Sequence, residues 1–449
     1  MAVSNSFSPR ATPAEAVAAF RAMRRKTYIL VGIVIAVIAY LAYAWVAFDV
    51  SGLIARAHPE RAALVASDAI AHKVHVTKSL RRNEISVAVE GERTAAYDEP
   101  PEWVTMAPDD AVTVDLGEGY RARIEGQTLT FVAPDYGTAT VRVTEGGIQT
   151  DLPPGERPEW LRATDVKFDA RPDLDRRIQV SRAKIEIHRY FFGWENFFFP
   201  FDSELTQYSA GEIFELIVSG ERLKEGRSNI SHVFETFWSN PDWQHGQVFV
   251  ALLETLLMAV LGTLTAVFAG LPLAFLAASN FTPSGILRFC VRRLFDFLRG
   301  IDYLIWSLIF IRSFGLGPLT GALAIGFTDT GTLGKLFSEA LENIDDRQVE
   351  GVASTGASKV QLYRFGVIPQ ILPVFLSQGL YYLESNTRSA TVIGALGAGG
   401  IGLLLVDTLR TSRDWENTLY IIILTVILVM IMDNLSGWLR RRLIEGKTQ

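Results

Sequence analysis

The sequence predicts an all-α polytopic membrane domain, a five-span core plus one N-terminal span, that carries a small β-rich insertion. Three observations predict it. Apolar runs near the length a bilayer requires recur between residues 248 and 438, and one more lies at 27–48. Between that first run and the others, apolar and polar residues alternate as they do in half-buried strands. A polar stretch, residues 339–369, sits between two apolar runs and still carries the start and stop signals of helices.

Of the 449 residues, 49% are apolar. The mean hydropathy of +0.20 suits a membrane domain joined to a sizeable soluble one. A formal net charge of −6 argues against a general nucleic-acid binder. The single cysteine, Cys290, excludes an intramolecular disulfide and a cysteine-based zinc site, and reads as a small apolar residue. The six histidines are scattered without metal-ligand spacing, so no metal site is expected. The sequence has no Walker-type phosphate loop, no Ser-His-Asp set and no carboxylate pair in an evident soluble cleft.

Taken in order, residues 1–26 read as a polar tail that ends on Arg21, Arg24, Arg25 and Lys26. Residues 27–48 read as an uncleaved span rather than a signal peptide, because the apolar run is long and no clean cleavage site follows. The positive-inside rule places the N-terminus in the cytoplasm. Residues 50–245 form an insertion, expected in the periplasm, with a β-rich module at about 84–152. There Val112, Val114 and Leu116 alternate with polar residues, as do Tyr120, Ala122 and Ile124, Leu129 and Phe131, and Ala139, Val141 and Val143. Glycine-containing joints at 117–119, 125–126 and 136–137 predict hairpins, and 151–155 a linker. Residues 190–201 concentrate aromatics, which predicts either a core for the insertion or a belt at the membrane surface.

The core is expected at 247–442. A long span at 248–279 precedes an arginine-rich segment at 280–300, read as a cytoplasmic loop. Residues 301–313 return outward and 321–341 come back in. Residues 367–386 go out again, 389–406 read as a bent or re-entrant segment, and 418–438 form the last inward span. Arg440, Arg441 and Arg442 follow, so both termini are expected in the cytoplasm.

The polar stretch at 339–369 predicts two short helices meeting at a glycine elbow. Asp345 and Asp346 suit a helix start. Val349, Val352 and Ala353 recur at helical spacing, and Gly356 suits the left-handed residue that ends a helix. Ser358-Lys359-Val360-Gln361 fits a capping box, and Pro369 marks re-entry into apolar sequence.

With Glu350 and Gly356 at their spacing and Ile368-Pro369 closing the stretch, the elbow resembles the cytoplasmic coupling loop of ABC importer permeases. Gly351 and Val352 depart from the family's two alanines, and Gly366 and Ile368 from its later apolar positions. The form Val-Glu-Gly followed by Ser354-Thr355-Gly356-Ala357-Ser358 resembles the phosphonate-uptake branch, as does the run Glu384 to Gly402. The resemblance covers 247–442. It implies that Glu350, Gly351, Gly356, Ala357, Ser358 and Pro369 meet a partner ATPase. It also implies a dimer of ATPase subunits that binds the ATP and Mg, a periplasmic substrate-binding protein, a permease homodimer, and a location in the bacterial inner membrane. By the same resemblance this chain is expected to be non-catalytic and to bind no cofactor itself.

Ionisable groups inside spans are costly, so each is a functional candidate. Asp329, between Thr328 and Thr330, is expected either to hydrogen-bond between helices or to line a substrate path. Glu254 is expected to reach the interface, Lys335 to snorkel to the surface and Asp302 to be solvated. Glu384 and Arg388 are four residues apart and can pair on one helix face, near Asn386. They are expected either to fix the helix against its neighbours or to shape the path of an anion. Gly397, Gly399, Gly400 and Gly402 have the look of a dinucleotide loop, but no strand precedes them, so they read as hinge or gate glycines. The leading expectation is a permease subunit importing phosphonate or a related phosphorus oxyanion. The alternatives are a permease for another small anion or solute, a membrane-anchored ligand sensor, and a secondary transporter, which would show an internal repeat.

Overall fold

The computed structural model describes residues 13–57, 59–89, 96–97, 99–108, 111–218, 221–411 and 415–444. The chain divides into two units, Met1–Leu64 and Val65–Gln449.

In the first unit, α1 (Pro13–Ala47) is one unbroken helix. The helical stretch therefore starts well before the predicted boundary at 27, because residues 14–26 are mostly helix formers behind a proline at the first position. Residues 1–12 of the predicted tail lie outside the described residues. The apolar part, Arg24–Ala47, is long enough to cross a membrane. Asp49 follows in a left-handed conformation (φ 46°) and caps α2 (Val50–Ala55), accepting from the Gly52 N–H at 3.1 Å. Helix α3 (Pro59–Ile70) leads into the second unit.

The second unit begins with twelve strands in two six-stranded sheets. The first has the order β2 (Glu84–Val89), β1 (Ala71–Ser79), β12 (Lys184–Phe192), β11 (Arg176–Ser181), β10 (Lys167–Ala170), β9 (Leu161–Ala163). The second is a meander inserted between β2 and β9: β3 (Val104–Met106), β4 (Val112–Gly117), β5 (Tyr120–Glu125), β6 (Thr128–Ala133), β7 (Gly137–Thr144), β8 (Gly147–Asp151). One buried core joins them, with Val76, Ile187, Ile178 and Phe168 from the first sheet and Val114, Ile124, Phe131 and Val141 from the second. Arg176, 3% exposed, donates to the Gly117 carbonyl and to Glu118 across the two sheets. On the other face of the first sheet, burial pushes the His188 imidazole down to about 3, so it is neutral at physiological pH.

The module thus spans residues 71–192, wider than the predicted 84–152. Its first sheet pairs strands over a hundred residues apart, with His75 opposite His188. Excising residues 84–152 would remove β2 and the whole second sheet, and would open the shared core.

The aromatic segment after β12 does two jobs. Phe191 and Phe201 pack against the sandwich core. Trp194 and Phe197 instead pack on Trp243 and Tyr420, joining the module to the helices. His245 sits inside this cluster, accepting from the Tyr420 hydroxyl (2.8 Å) and donating to the Phe197 carbonyl (2.7 Å).

Two short helices follow, α4 (Ala210–Val218) and α5 (Asn229–Trp238), and then the helical core. It consists of α6 (His245–Ala277), α7 (Gly285–Gly300), α8 (Tyr303–Phe314), α9 (Pro318–Glu342), α10 (Asp346–Ala353), α11 (Lys359–Leu362), α12 (Ile368–Ile393), α13 (Gly400–Thr411) and α14 (Trp415–Ile444). Helices α6 and α9 pack closely through small residues: a Cβ on Gly270 would lie 3.2 Å from the Gly334 nitrogen. Around that seam Leu333 and Phe337 meet Ile371 and Phe375 of α12, with the rings of Phe337 and Phe375 4.2 Å apart.

Residues 285–300 form a helix where the sequence predicted a loop. Val291, Phe295 and Leu298 lie on one buried face of α7, and Phe295 packs on Gly334 of α9. Arg292 turns back to the Ala277 carbonyl and Glu342, which lets an arginine-rich segment stay helical. Helix α8 then packs higher on α9 through Trp306, Phe310 and Phe327. By length and apolarity, α1, α6 and α14 qualify as spans, and the bent pair formed by α12 with α13 makes a fourth.

Candidate functional site: a capped elbow and a polar lock

The elbow is built from local signals. Asp345 caps α10, accepting from the Arg347 N–H at 3.0 Å. Helix α10 ends at Ala353, and Gly356 follows with φ 78°. The Ser358 side chain then caps α11 while Gln361 reaches back to the Ser358 N–H at 2.8 Å. Helix α11 does not stop there; a π-helical turn, Tyr363–Val367, carries it into α12, with Pro369 in the first turn. Gln370 clamps the elbow's base, accepting from the Asp345 N–H at 2.8 Å and donating to the Gly366 carbonyl at 2.7 Å. Glu350, Gly351, Gly356 and Ser358 are exposed, and Ala357 is half-buried. Between the two helices lies a cleft of about 650 Å³, lined by Gly351, Val352, Gly356, Ala357 and Phe365 among others.

Inside the bundle, Asn386 of α12 donates to Asp329 of α9 at 2.6 Å and to Thr263 of α6 at 2.9 Å. All three residues are buried, so each hydrogen bond saves a desolvated polar group from going unpaired. Glu384 and Arg388 pair at 3.0 Å within α12, with Glu384 nearly buried and Arg388 half-exposed. They lie two positions either side of Asn386, about half a helical turn away, and so on the opposite face.

The glycine run forms a sharp corner. Gly397, Gly399 and Gly400 have φ values of 112°, 89° and 69°, and α13 leaves α12 with a 58° bend. Glu254 is half-buried and turned to this corner. Its carboxylate accepts from the Gly400 N–H at 2.9 Å, and the neighbouring Thr255 hydroxyl accepts from the Ile401 N–H at 2.9 Å. Two side chains of α6 thus cap the start of α13, where the helix dipole favours a negative group. Asp302 caps α8 by accepting from the Leu304 N–H at 2.8 Å, and Lys335 lies 3.9 Å from Asp296.

A family described as the binding-protein-dependent transport system inner membrane component matches residues 270–445. The phosphite transport system permease protein PtxC of Stutzerimonas stutzeri is 37% identical over 190 residues, which are 42% of this chain and 69% of that protein. The chain belongs to this family.

The permease is similar to two more relatives. The phosphate-import permease protein PhnE of Mycolicibacterium smegmatis is 38% identical over 192 residues, 43% of this chain and 36% of that protein. A protein of Escherichia coli named as a cryptic phosphonate transport system permease, PhnE2, is 43% identical over 122 residues, 27% of this chain and 99% of that protein. As a family member, the permease is a transport component of the inner membrane and is not itself a catalyst. The family match starts at residue 270, so the β-sandwich lies outside it.

Sequence reasoning missed two residues of the permease's polar core. Thr263 reads as an ordinary span threonine, since its contact with Asn386 joins positions 123 apart. Thr255 gave no signal beyond its place beside Glu254.

Proposed function

We propose that this chain is the transmembrane subunit of an ABC importer that takes up a phosphorus oxyanion of the phosphonate and phosphite class. The observation that supports it is 37–43% identity with permeases named for phosphite, phosphate and phosphonate. Two copies form the pathway. A pair of ATPase subunits binds ATP and Mg and grips the elbows through Glu350, Gly351, Gly356, Ala357 and Ser358, with Pro369 setting the exit into α12. A periplasmic binding protein delivers the anion. ATPase closure then moves the elbows, and the core switches as rigid bodies. The corner at Gly397, Gly399, Gly400 and Gly402 serves as the gate.

Asp329 and Asn386 hold three helices together beside the path, and Arg388 presents its charge on the open face of α12. Arginine suits an oxyanion because its planar fork can donate two parallel hydrogen bonds. Uptake of labelled phosphite, methylphosphonate and phosphate into proteoliposomes holding the full complex tests this reading. The double variant Glu384→Arg with Arg388→Glu keeps the pair and reverses its order. It is expected to assemble and to retain ATPase coupling while losing uptake. Uptake at the native rate would remove Arg388 from the path.

In this reading the membrane is crossed six times: by α1, α6, α7 with α8, α9, α12 and α14. Both termini are cytoplasmic and the sandwich is periplasmic. In a Cys290→Ser background, a membrane-impermeant thiol reagent added outside spheroplasts is expected to label Glu118→Cys and spare Lys359→Cys. The reverse pattern would overturn the topology.

A further inference from the structure

Helices α4 and α5 form a hairpin with an unpartnered apolar side. The inner side of α5 is engaged, whereas no residue of α4 is fully buried. The Asn229 amide donates to the Leu216 and Glu221 carbonyls at 2.7 and 2.9 Å, tying α4 to α5. His232 meets Glu204 at 3.1 Å, and Phe237 stacks on His245 with ring centres 4.0 Å apart. The other side of α5 carries Ile230, Phe234 and Trp238, spaced four residues apart and so in one stripe, and 60%, 60% and 37% exposed. On α4, Phe214 and Val218 repeat the spacing.

This stripe does not end with α5. The Trp238 ring meets Phe249 edge-on at 5.4 Å, and a Cβ on Gly246 would come within 2.7 Å of its indole nitrogen. Phe249 opens the outward apolar row of α6, which continues through Leu253, Leu257, Leu264 and Phe268, each 45–74% exposed. Helix α6 is long and apolar enough to cross the membrane. The same surface therefore runs from the hairpin onto the face of a span, with a tryptophan at the junction, the depth tryptophan prefers. A soluble partner could cover the hairpin but could not follow the row down α6.

We propose that α4 and α5 lie in the membrane–water interface as an amphipathic hairpin docked on phospholipid, anchoring the sandwich beside α6. An amphipathic helix binds there by burying one apolar face in the headgroup and acyl boundary. The two helices keep Glu212, Glu215 and Glu235 off the stripe.

Single cysteines test this in the full complex, in nanodiscs of phosphatidylethanolamine and phosphatidylglycerol, with Cys290→Ser as background. Phe214→Cys, Ile230→Cys and Phe234→Cys each carry an environment-sensitive fluorophore, with Glu118→Cys and Glu225→Cys as comparison sites. The ratio of quenching by a nitroxide high on the lipid acyl chain to quenching by aqueous iodide is expected to be about tenfold higher on the stripe than at the comparison sites. Equal ratios would overturn the proposal. So would shielding from both quenchers together with cross-linking of identical cysteines, which would assign the stripe to a second copy. Iodide access lost only on adding the binding protein would assign it to that partner and equally overturn the proposal.

Discussion

Gly402→Ala is expected to lower the stability of the permease by about 3 kcal/mol, at the upper end of what overpacking costs. The helix scale alone predicts the opposite sign. Gly402 lies inside α13, and alanine there should gain up to about 1 kcal/mol from propensity. The geometry reverses this. A Cβ at Gly402 would sit 1.9 Å from the Thr391 carbonyl oxygen and 2.8 Å from the Ala395 nitrogen. Both are backbone atoms, so no side chain can swing aside, and α13 must move off α12. That movement also pulls the Gly400 and Ile401 N–H groups from Glu254 and Thr255. Thermal unfolding of the purified complex should show a midpoint drop of about 6–12 °C, by the usual relation for domains of this size. Gly285→Ala is the control. Gly285 opens α7 with nothing within 4 Å of a built Cβ, and its change should stay within about 0.5 kcal/mol. Equal midpoints for the two variants would show that the corner yields freely.

The parts of the fold that were legible in the sequence are those whose causes are local. Asp345, Gly356 and Ser358 through Gln361 each act within one helical turn, so the elbow could be read from spacing. The meander β4–β7 was legible because its hairpins are short and each strand alternates. The first sheet was not, although Val74 and Val76, Ile185 and Ile187, and Ile178 and Val180 alternate with polar residues just as cleanly. The pairing that closes this sheet, β1 with β12, reaches across the inserted second sheet, and the short turns at 80–83 and 182–183 that join β1 to β2 and β11 to β12 carry no glycine to announce them. Helix α7 was read as a loop because its arginines were counted as charge. Their spacing leaves Val291, Phe295 and Leu298 on a face of their own. At the core, Asp329 and Asn386 stood out because polar groups in spans are costly. That they meet each other, and that Thr263 completes the set, depends on the close approach of α6 and α9 through Gly270 and Gly334. Glu254 stood out for the same reason, but its role as a cap became visible only once the chain turned at Gly397–Gly400.

Gly356→Leu is expected to cut transport about tenfold or more while leaving assembly intact. The argument rests on conformation rather than space. Gly356 has φ 78°, and nothing lies within 4 Å of a Cβ built there. A leucine would therefore fit sterically but pay about 1–2 kcal/mol for the left-handed backbone. Gly356 joins α10 to α11, and α11 runs without interruption through the π-turn into α12. A turn that relaxes toward ordinary φ swings α10 away from the position Asp345 and Gln370 hold. A strain of about 1.4 kcal/mol is a tenfold shift in the population of the native elbow, which sets the size of the effect. The measurement is stimulation of the partner ATPase together with uptake, at matched amounts of complex. Gly356→Asn separates the causes, because asparagine visits the left-handed region at little cost and should restore most of the activity. Gly351→Leu probes the other possibility. Gly351 lies within α10 and a Cβ there also meets nothing within 4 Å, so this chain alone gives no reason for a defect. A loss in Gly351→Leu must come from a surface pressed against the elbow. If Gly356→Asn fails as badly as Gly356→Leu, the glycine is needed for contact with the ATPase, and backbone strain is not the cause.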